Sequence, residues 1–304
     1  MAAPTPDWRP PATLDELYAK TAGNRFHALN SDTAGAREPG ELPVAPVAVN
    51  LYSLGTPNGQ KVSILLEELG VEYAAHRVNL AGEQFREGFV KGASPRRPTP
   101  RRWAPRTDDA CAVNPNSKIP AVLHNGTTRV FESGAILIYL AETRKSSLLP
   151  AVGDPKRAEC LSWVMWQMAG QGPMTGNFGH FFVYAPRDKH EALEYGVARY
   201  GMEVRRLLSV LETHLADERR WILGDDYSVA DVACYPWTET VQRGYRAGDF
   251  IGVTSGRYPR VAAWMQRMRE RPAVQRGMRV LSMAGDKGAR ELADLNAKHT
   301  PAKL

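Results

Sequence analysis

Two polar side chains, Thr56 and Asn58, stand in a short turn that follows an apolar run. Val and Leu alternate in that run, from residue 47 to 54, which favours a β-strand. The segment 61–69 has the apolar spacing of a helix. The first N–H groups of a helix have no partner within the helix and lie at the positive end of its dipole. The turn is therefore suited to hold an anion, although by itself it fits an ordinary strand-to-helix connection equally well.

Two further polar turns adjoin predicted strands. The sequence NPNSKIPAV is a polar loop that leads into a strand near Pro120, and the sequence FESGAIL ends a strand and begins a helix at Glu132 and Ser133. The elements predicted here are strands at 119–124 and 128–131, joined by the tight-turn pair Asn125-Gly126, and a helix from Ser133 to Thr143.

These three motifs together resemble the glutathione-binding half of a glutathione transferase. The resemblance is strongest to the Nu-class, bacterial disulfide-bond oxidoreductase type, which is related to the fungal nitrogen-regulation protein. It implies the glutathione transferase architecture, an α/β thioredoxin-like N-terminal domain followed by an all-α C-terminal domain. The second half agrees, because Ser228-Val229-Ala230-Asp231 forms a helix capping box of the kind typical of the transferase helical domain.

The resemblance and the pattern together predict four regions. These are an N-terminal arm (1–46) with a helical fragment at Leu14 to Lys20, a glutathione-binding domain (47–150), an all-helical domain (154–283) and a polar tail (284–304). The remaining predicted elements are a strand at 72–78, a short helical stretch at 84–91, a long helical stretch at 155–182, and helices at 191–216, 259–271 and 273–283.

In the transferase family, the turn containing Thr56 and Asn58 handles the sulfur of glutathione. Other classes use Tyr, Ser or Cys there, whereas a hydroxyl and an amide donate hydrogen bonds to a thiolate and are poor nucleophiles or bases. The resemblance therefore implies that these two residues position and stabilise the thiolate, and that glutathione itself is the nucleophile. No cysteine occurs in this turn, which disfavours a covalent protein–glutathione disulfide.

The resemblance also assigns the rest of the glutathione site. Glu132 and Ser133 are expected to bind the γ-glutamyl end, through the carboxylate for ammonium and through the hydroxyl and helix N–H groups for carboxylate. A cis Pro120 is expected to present the backbone of Ile119 to the cysteinyl amide. Further expected glutathione contacts are Asn30, Gln84, Lys118, Gln167 and Arg199; for Arg199 a solvated helix face is the alternative, and for Asn30 a tail without a role.

His180 and Tyr184 are expected to shape the pocket for the second substrate, with packing of the aromatic run GHFFVYAP as the competing interpretation. No metal site is expected, because the three cysteines form no CxxC and no metal-like spacing with histidine. Cys160 and Cys234 are interpreted as inert residues of the helical core.

The composition is ordinary for a soluble globular enzyme, and the three cysteines without a CxxC motif favour a cytoplasmic location. No apolar run is long enough to predict a membrane span, and no nucleic-acid partner is expected. The net charge is +6, but five Arg and two Asp in the segment 92–112 account for +3 of it. This segment, with four prolines in 21 residues, interrupts the family pattern between Lys91 and Val113. It is either a surface loop or a retained intron, and in both cases it is expected to be exposed and to contribute nothing to the site.

Two functions are compatible with these motifs. The favoured one is a homodimeric glutathione-dependent enzyme that acts on small disulfides, peroxides or electrophiles, with a second glutathione completing the reduction. The alternative is a non-catalytic or regulatory glutathione-binding protein on the same fold. The regulatory branch carries an arm rich in Asn and Gln, and residues 1–46 lack that composition, which favours the enzyme.

Overall fold

The computed structural model describes residues 11–20, 42–80, 113–185, 190–216 and 219–282. In the N-terminal half the elements are α1 (Leu14–Lys20), β1 (Val49–Ser53), α2 (Pro57–Glu68), β2 (Tyr73–Arg77), β3 (Ala121–His124), β4 (Thr128–Phe131) and α3 (Ser133–Thr143). In the C-terminal half they are α4 (Pro155–Trp166), α5 (Gly172–Gly179), α6 (His190–His214), α7 (Val229–Glu239), α8 (Gly248–Ile251), α9 (Pro259–Glu270) and α10 (Pro272–Gly277). The expected arrangement of a thioredoxin-like domain followed by a helical domain is confirmed.

The sheet explains why three distant motifs meet. Its strand order is β2-β1-β3-β4, with β1 parallel to β2 and antiparallel to β3, and β3 antiparallel to β4. Tyr52 pairs with Ala121, which pairs with Phe131, so these residues form a row across the sheet. The ends of β1 and β4 and the start of β3 consequently lie at one edge. Since neighbouring strands lie about 4.8 Å apart, the three adjoining turns span roughly 10 Å.

The two faces of β1 lie in different hydrophobic clusters. Val49 and Leu51 belong to the large core beneath α2, whereas Tyr52 belongs to a smaller cluster on the opposite face. This alternation is the period of two expected for a strand. The hairpin after β3 also forms as predicted, with positive φ angles of 51° at Asn125 and 69° at Gly126.

The large core is continuous between the sheet domain and the helices. Helix α2 packs against α3, α7 and α10, and every side chain from Gly59 to Leu66 is buried except that of Gln60. The capping box at the start of α7 is confirmed: Ser228 accepts a hydrogen bond from the backbone N–H of Ala230, and Asp231 accepts one from the N–H of Ser228.

Several predicted boundaries differ from the structure. Helix α2 begins at Pro57 rather than Lys61, because Thr56 caps it and proline is accommodated in a first helical turn. Strand β3 begins after Pro120, which has no N–H to offer a neighbouring strand. Helix α10 ends at Gly277 rather than Met283. The long stretch 155–182 is helical but changes to π-helical geometry at Gln167–Gln171 and again at His180–Tyr184.

Candidate functional site

The turn between β1 and α2 is formed by close backbone packing. A Cβ atom on Gly59 would lie 2.1 Å from the carbonyl oxygen of Leu54, so only glycine allows α2 to start this close to the strand. Thr56 caps the helix, and its Oγ1 accepts a hydrogen bond from the N–H of Gly59 at 3.3 Å. Since the hydroxyl oxygen is the acceptor in that bond, the hydroxyl hydrogen is available to a ligand.

Asn58 is oriented by a tryptophan of the helical domain. The Nε1–H of Trp237 donates to Oδ1 of Asn58 at 2.8 Å. Because an indole nitrogen only donates, Oδ1 must face it, and the amide N–H groups of Asn58 point elsewhere. Glycines at 172 and 176 make room for the tryptophan, since a Cβ at either position would lie 3.3 Å from its ring. Sequence reasoning did not identify Trp237.

The loop before β3 is organised by the buried side chain of Asn114. Its Nδ2 donates to the carbonyl of Lys118 at 2.5 Å, and its Oδ1 accepts from the N–H of Asn116 at 2.8 Å. The side chain of Lys118 is exposed, and the Ile119–Pro120 peptide is cis, as predicted. This geometry places the backbone of Ile119 beside the turn that contains Thr56, because β3 pairs with β1.

The turn after β4 leads into α3 through a strained residue. Glu132 has a φ of 67° and occupies the N-cap position, but its side chain makes no capping hydrogen bond and is exposed. Non-glycine residues with such φ values cost stability and concentrate at functional sites. The adjacent Ser133 is only 2% exposed and begins the helix, where free N–H groups favour an anion.

A buried lysine lies beneath Ser133. Lys61 of α2 is fully buried, and its Nζ donates to Oγ of Ser133 at 3.2 Å, to Sδ of Met168 at 3.5 Å and to Oε1 of Gln167. Burial lowers the pKa of Lys61 from 10.5 to about 7. Sequence reasoning missed this residue. Its position could have been inferred from the sequence, because Lys61 lies four residues before Leu65 and therefore on the apolar, buried face of α2.

The structure places the other predicted residues as follows. Gln167 is fully buried with Lys61. Arg199 is exposed on α6, where its guanidinium lies over the ring of Tyr200 and pairs with Glu203 at 3.8 Å. A direct contact of either residue with glutathione stays a prediction. Asn30 and Gln84 lie outside the described residues, as does the segment 92–112.

The second-substrate candidates lie in a cluster of aromatic side chains. The ring of His180 contacts that of Phe181 edge-to-face, with centroids 5.2 Å apart, and Tyr184 contacts Tyr245 in the same way at 6.2 Å. Tyr184 remains 37% exposed. Both residues therefore take part in aromatic packing, and their assignment to a second-substrate pocket stays a prediction.

The two described cysteines do not belong to the site. Cys160 and Cys234 are fully buried in the core, and burial raises the pKa of Cys160 to about 11 and that of Cys234 well above its ordinary value. Such thiols are poorly reactive at neutral pH. Within the described ranges no cluster of three or more metal-ligating side chains is found. The same ranges contain no helix with the length and apolarity required to cross a membrane.

Comparison with known proteins identifies both halves of the chain. Residues 56–143 match the glutathione S-transferase N-terminal domain, and residues 194–267 match the glutathione S-transferase C-terminal domain. The disulfide-bond oxidoreductase YghU of Escherichia coli is 41% identical over 272 residues, which are 86% of this chain and 84% of that protein.

Two solved structures extend the comparison. A glutathione transferase YghU from Streptococcus pneumoniae, complexed with glutathione, is 36% identical with a TM-score of 0.73, covering 89% of this chain and 97% of its own. A glutathione transferase family member from Pseudomonas fluorescens, with two glutathione molecules bound, is 36% identical with a TM-score of 0.63, covering 84% and 97% respectively.

Proposed function

Because the chain belongs to the glutathione S-transferase family, we propose that it is a glutathione-dependent disulfide-bond oxidoreductase. The glutathione thiolate acts as the nucleophile on small disulfides, and also on peroxides or electrophiles. Each of the three turns at one edge of the sheet binds a different part of the tripeptide. Thr56 and Asn58 take the sulfur, the backbone of Ile119 takes the cysteinyl amide, and Glu132 and Ser133 take the γ-glutamyl end.

The observation that carries this proposal is the orientation of the Thr56 and Asn58 side chains, which is set by their hydrogen bonds to neighbouring residues. The oxygens of Thr56 and Asn58 already accept one hydrogen bond each, from Gly59 and Trp237, and this orients the hydroxyl hydrogen of Thr56 and the amide hydrogens of Asn58 away from those partners, where they can be donated to a ligand. Donors of this kind stabilise a thiolate and lower the pKa of the thiol that forms it. The turn contains no cysteine, which supports glutathione itself as the source of the sulfur nucleophile.

The reaction consists of two exchanges. In the first, the glutathione thiolate attacks one sulfur of a disulfide RSSR, the S–S bond breaks, and RS⁻ leaves as the mixed disulfide GSSR forms. In the second, another glutathione thiolate attacks the glutathione sulfur of GSSR, which releases the second RS⁻ and forms GSSG. Two glutathione molecules supply the two electrons, and each RS⁻ takes a proton from solvent.

The second exchange requires room for two glutathione moieties. The Pseudomonas fluorescens relative with two glutathione molecules bound supports this part of the proposal. By the resemblance to this family, the enzyme acts as a homodimer. The small number of cysteines is in keeping with a reducing, cytoplasmic location.

A matched pair of Asn58 variants tests the mechanism. Asn58→Asp keeps an oxygen acceptor for Trp237 but replaces the N–H donor with a negative charge, whereas Asn58→Ala removes both. With oxidised 2-mercaptoethanol as the disulfide, the apparent thiol pKa from the pH–rate profile should rise in both variants, and further in Asn58→Asp. An unchanged profile in both variants would exclude Asn58 from thiolate stabilisation.

Two measurements on the wild-type protein distinguish the enzyme from the regulatory alternative. Calorimetric titration with glutathione should show binding, and the rate of disulfide exchange should exceed that without protein. Binding of glutathione without any acceleration of disulfide, peroxide or electrophile reactions would favour the regulatory function.

A further inference from the structure

Lys61 has an unusual environment for a cation. Its Nζ has three hydrogen-bond partners: the hydroxyl of Ser133, the amide oxygen of Gln167 and the thioether of Met168. All three are neutral. Among the described residues, no carboxylate forms an ion pair with it. A buried lysine without a counter-ion destabilises a fold, which makes a purely structural role a poor explanation.

The charged groups on the surrounding elements do not neutralise this ammonium. Helix α3 contributes the exposed Glu132 at its start, and α7 contributes the buried thiol of Cys234, both of which act on Lys61 only through space. Helix α10 and its N-cap contribute Arg276 and Arg271, which pair with the acidic residues at 67 and 68 near the end of α2.

We propose that Lys61 is a positioning residue for glutathione, which orients the hydroxyl of Ser133 and supplies the positive charge that attracts the γ-glutamyl carboxylate. This inference rests on the proposed function, since it concerns the same site. The carboxylate would accept hydrogen bonds from the first N–H groups of α3 and from the hydroxyl of Ser133, which in this structure donates to the weaker acceptor Sδ of Met168 at 3.4 Å. The ammonium of Lys61, which lies on the other side of the Ser133 hydroxyl, would then be the counter-ion of this carboxylate.

The distances permit this arrangement. Nζ of Lys61 lies 3.2 Å from Oγ of Ser133. A carboxylate oxygen bonded to that hydroxyl at about 2.7 Å lies within about 6 Å of the ammonium. Opposite charges at this separation interact strongly where water is excluded. Lys61 also lies three residues after Asn58, about 4.5 Å along the axis of α2, so one helix would contribute to binding both the sulfur and the γ-glutamyl carboxylate.

The neighbouring Gln167 supports a site that is completed by a ligand. Its Oε1 accepts from Lys61, and among the described residues its buried Nε2 has no hydrogen-bond partner. A buried donor without a partner is unfavourable by itself. The polar cluster therefore has more donors than acceptors, which is the electrostatic complement of an anionic ligand.

The test compares two ligands in wild-type protein and Lys61→Met. The first is S-methylglutathione, whose sulfur does not titrate. The second is the S-methylated tripeptide in which 4-aminobutyrate replaces the γ-glutamyl residue, so that only the carboxylate is missing. In calorimetric titrations, Lys61→Met should weaken binding of the first about tenfold or more, as expected for loss of a charge-assisted contact, and leave the second within twofold. Equal losses for both ligands would overturn the proposal.

Ser63→Ala provides a matched control on the same helix. Ser63 is buried and donates to the carbonyl of Gly277 at 2.7 Å, so its loss perturbs α2 without touching Lys61. This variant should retain the wild-type preference for the ligand that carries the carboxylate. Loss of that preference in Ser63→Ala would show that any perturbation of α2 has this effect.

The wild-type protein gives an independent measurement if Lys61→Met does not fold. Because the pKa of Lys61 is lowered by burial, the carboxylate should raise it, and binding of S-methylglutathione near pH 7.5 should take up protons from the buffer. Titrations in two buffers of different ionisation enthalpy measure that uptake, which should vanish for the analogue. Equal proton uptake for both ligands would refute the inference, whereas failure of wild-type protein to bind glutathione at all would refute the proposed function.

Discussion

The free energy of unfolding of Lys61→Met, taken relative to that of wild type, should be higher at neutral pH than at alkaline pH. Burial lowers the pKa of Lys61 to about 7 in the folded protein, whereas the unfolded chain titrates near 10.5. Between these values the unfolded chain holds a proton that the folded protein does not. The free energy of unfolding of wild type therefore rises with pH across this window, and methionine removes that dependence.

The size of the effect follows from the two pKa values. Each pH unit inside the window changes the wild-type contribution by about 1.4 kcal/mol, so the difference between variant and wild type should shift by about 3 kcal/mol between pH 7.5 and 9.5. A second term opposes it at every pH. Methionine leaves Oε1 of Gln167 without its donor, which destabilises the variant by about 1–3 kcal/mol.

Urea unfolding of both proteins at several pH values measures the difference directly, and titration of all other groups cancels in it. Lys145→Met, which removes an exposed lysine, controls for the change in net charge. A difference curve for Lys61→Met that runs parallel to that of Lys145→Met across pH 7.5–9.5 would refute the reasoning, because it would mean that Lys61 stays protonated in the folded protein.

Four further outcomes are expected. Ser133→Ala should raise the Kd for glutathione about tenfold, as measured by calorimetry, and it should lower stability in thermal denaturation by about 1–3 kcal/mol because buried Lys61 loses an acceptor. Trp237→Phe should raise the apparent thiol pKa in the pH–rate profile, because Asn58 loses the donor that orients it; an unchanged profile would argue against that role. Ser228→Ala should lower stability by about 1 kcal/mol through loss of the helix cap, without changing the Kd for glutathione. Deletion of 92–112 should leave folding and glutathione binding intact, and loss of binding would place that segment in the site.

Local patterns were sufficient to predict the four strands and most of the helices, but not the short helix α8. The hairpin at Asn125, the capping box at Ser228 and the start of α3 at Ser133 depend on residues within a few positions of one another. The convergence of the three turns follows from strand order, which the resemblance to a known family implied. The strained backbone of Glu132 was not predicted, because no sequence preference favours a positive φ there.

The residues that sequence reasoning missed act across long separations. Trp237 bonds a residue 179 positions away, and Lys61 bonds Gln167 at a separation of 106. Their local patterns indicate only an aromatic residue in a buried helix and a charged residue on an apolar face. Which polar group each meets depends on how the helical domain packs on the sheet, and the spacing within one segment carries no information about that packing.

The end of the described chain closes the turn between β1 and α2. The N–H of Gly55 donates to the carbonyl of Leu281 at 2.8 Å, and Arg77 donates to the carbonyl of Ser282 across 205 residues. A Cβ on Gly55 would lie 2.8 Å from that same carbonyl of Leu281, so the contact also depends on glycine.

This closure has a consequence for biosynthesis. A ribosome delivers the N-terminal domain first, and early domains generally begin to fold while later ones are still being made. Here the turn at Gly55 cannot acquire its final neighbours until residue 281 has left the exit tunnel. A nascent chain arrested before that point should bind glutathione more weakly than the released protein, although its sheet is already translated. Under the proposed function, disulfide exchange by such an arrested chain should likewise be slower than exchange by a chain that includes residue 281.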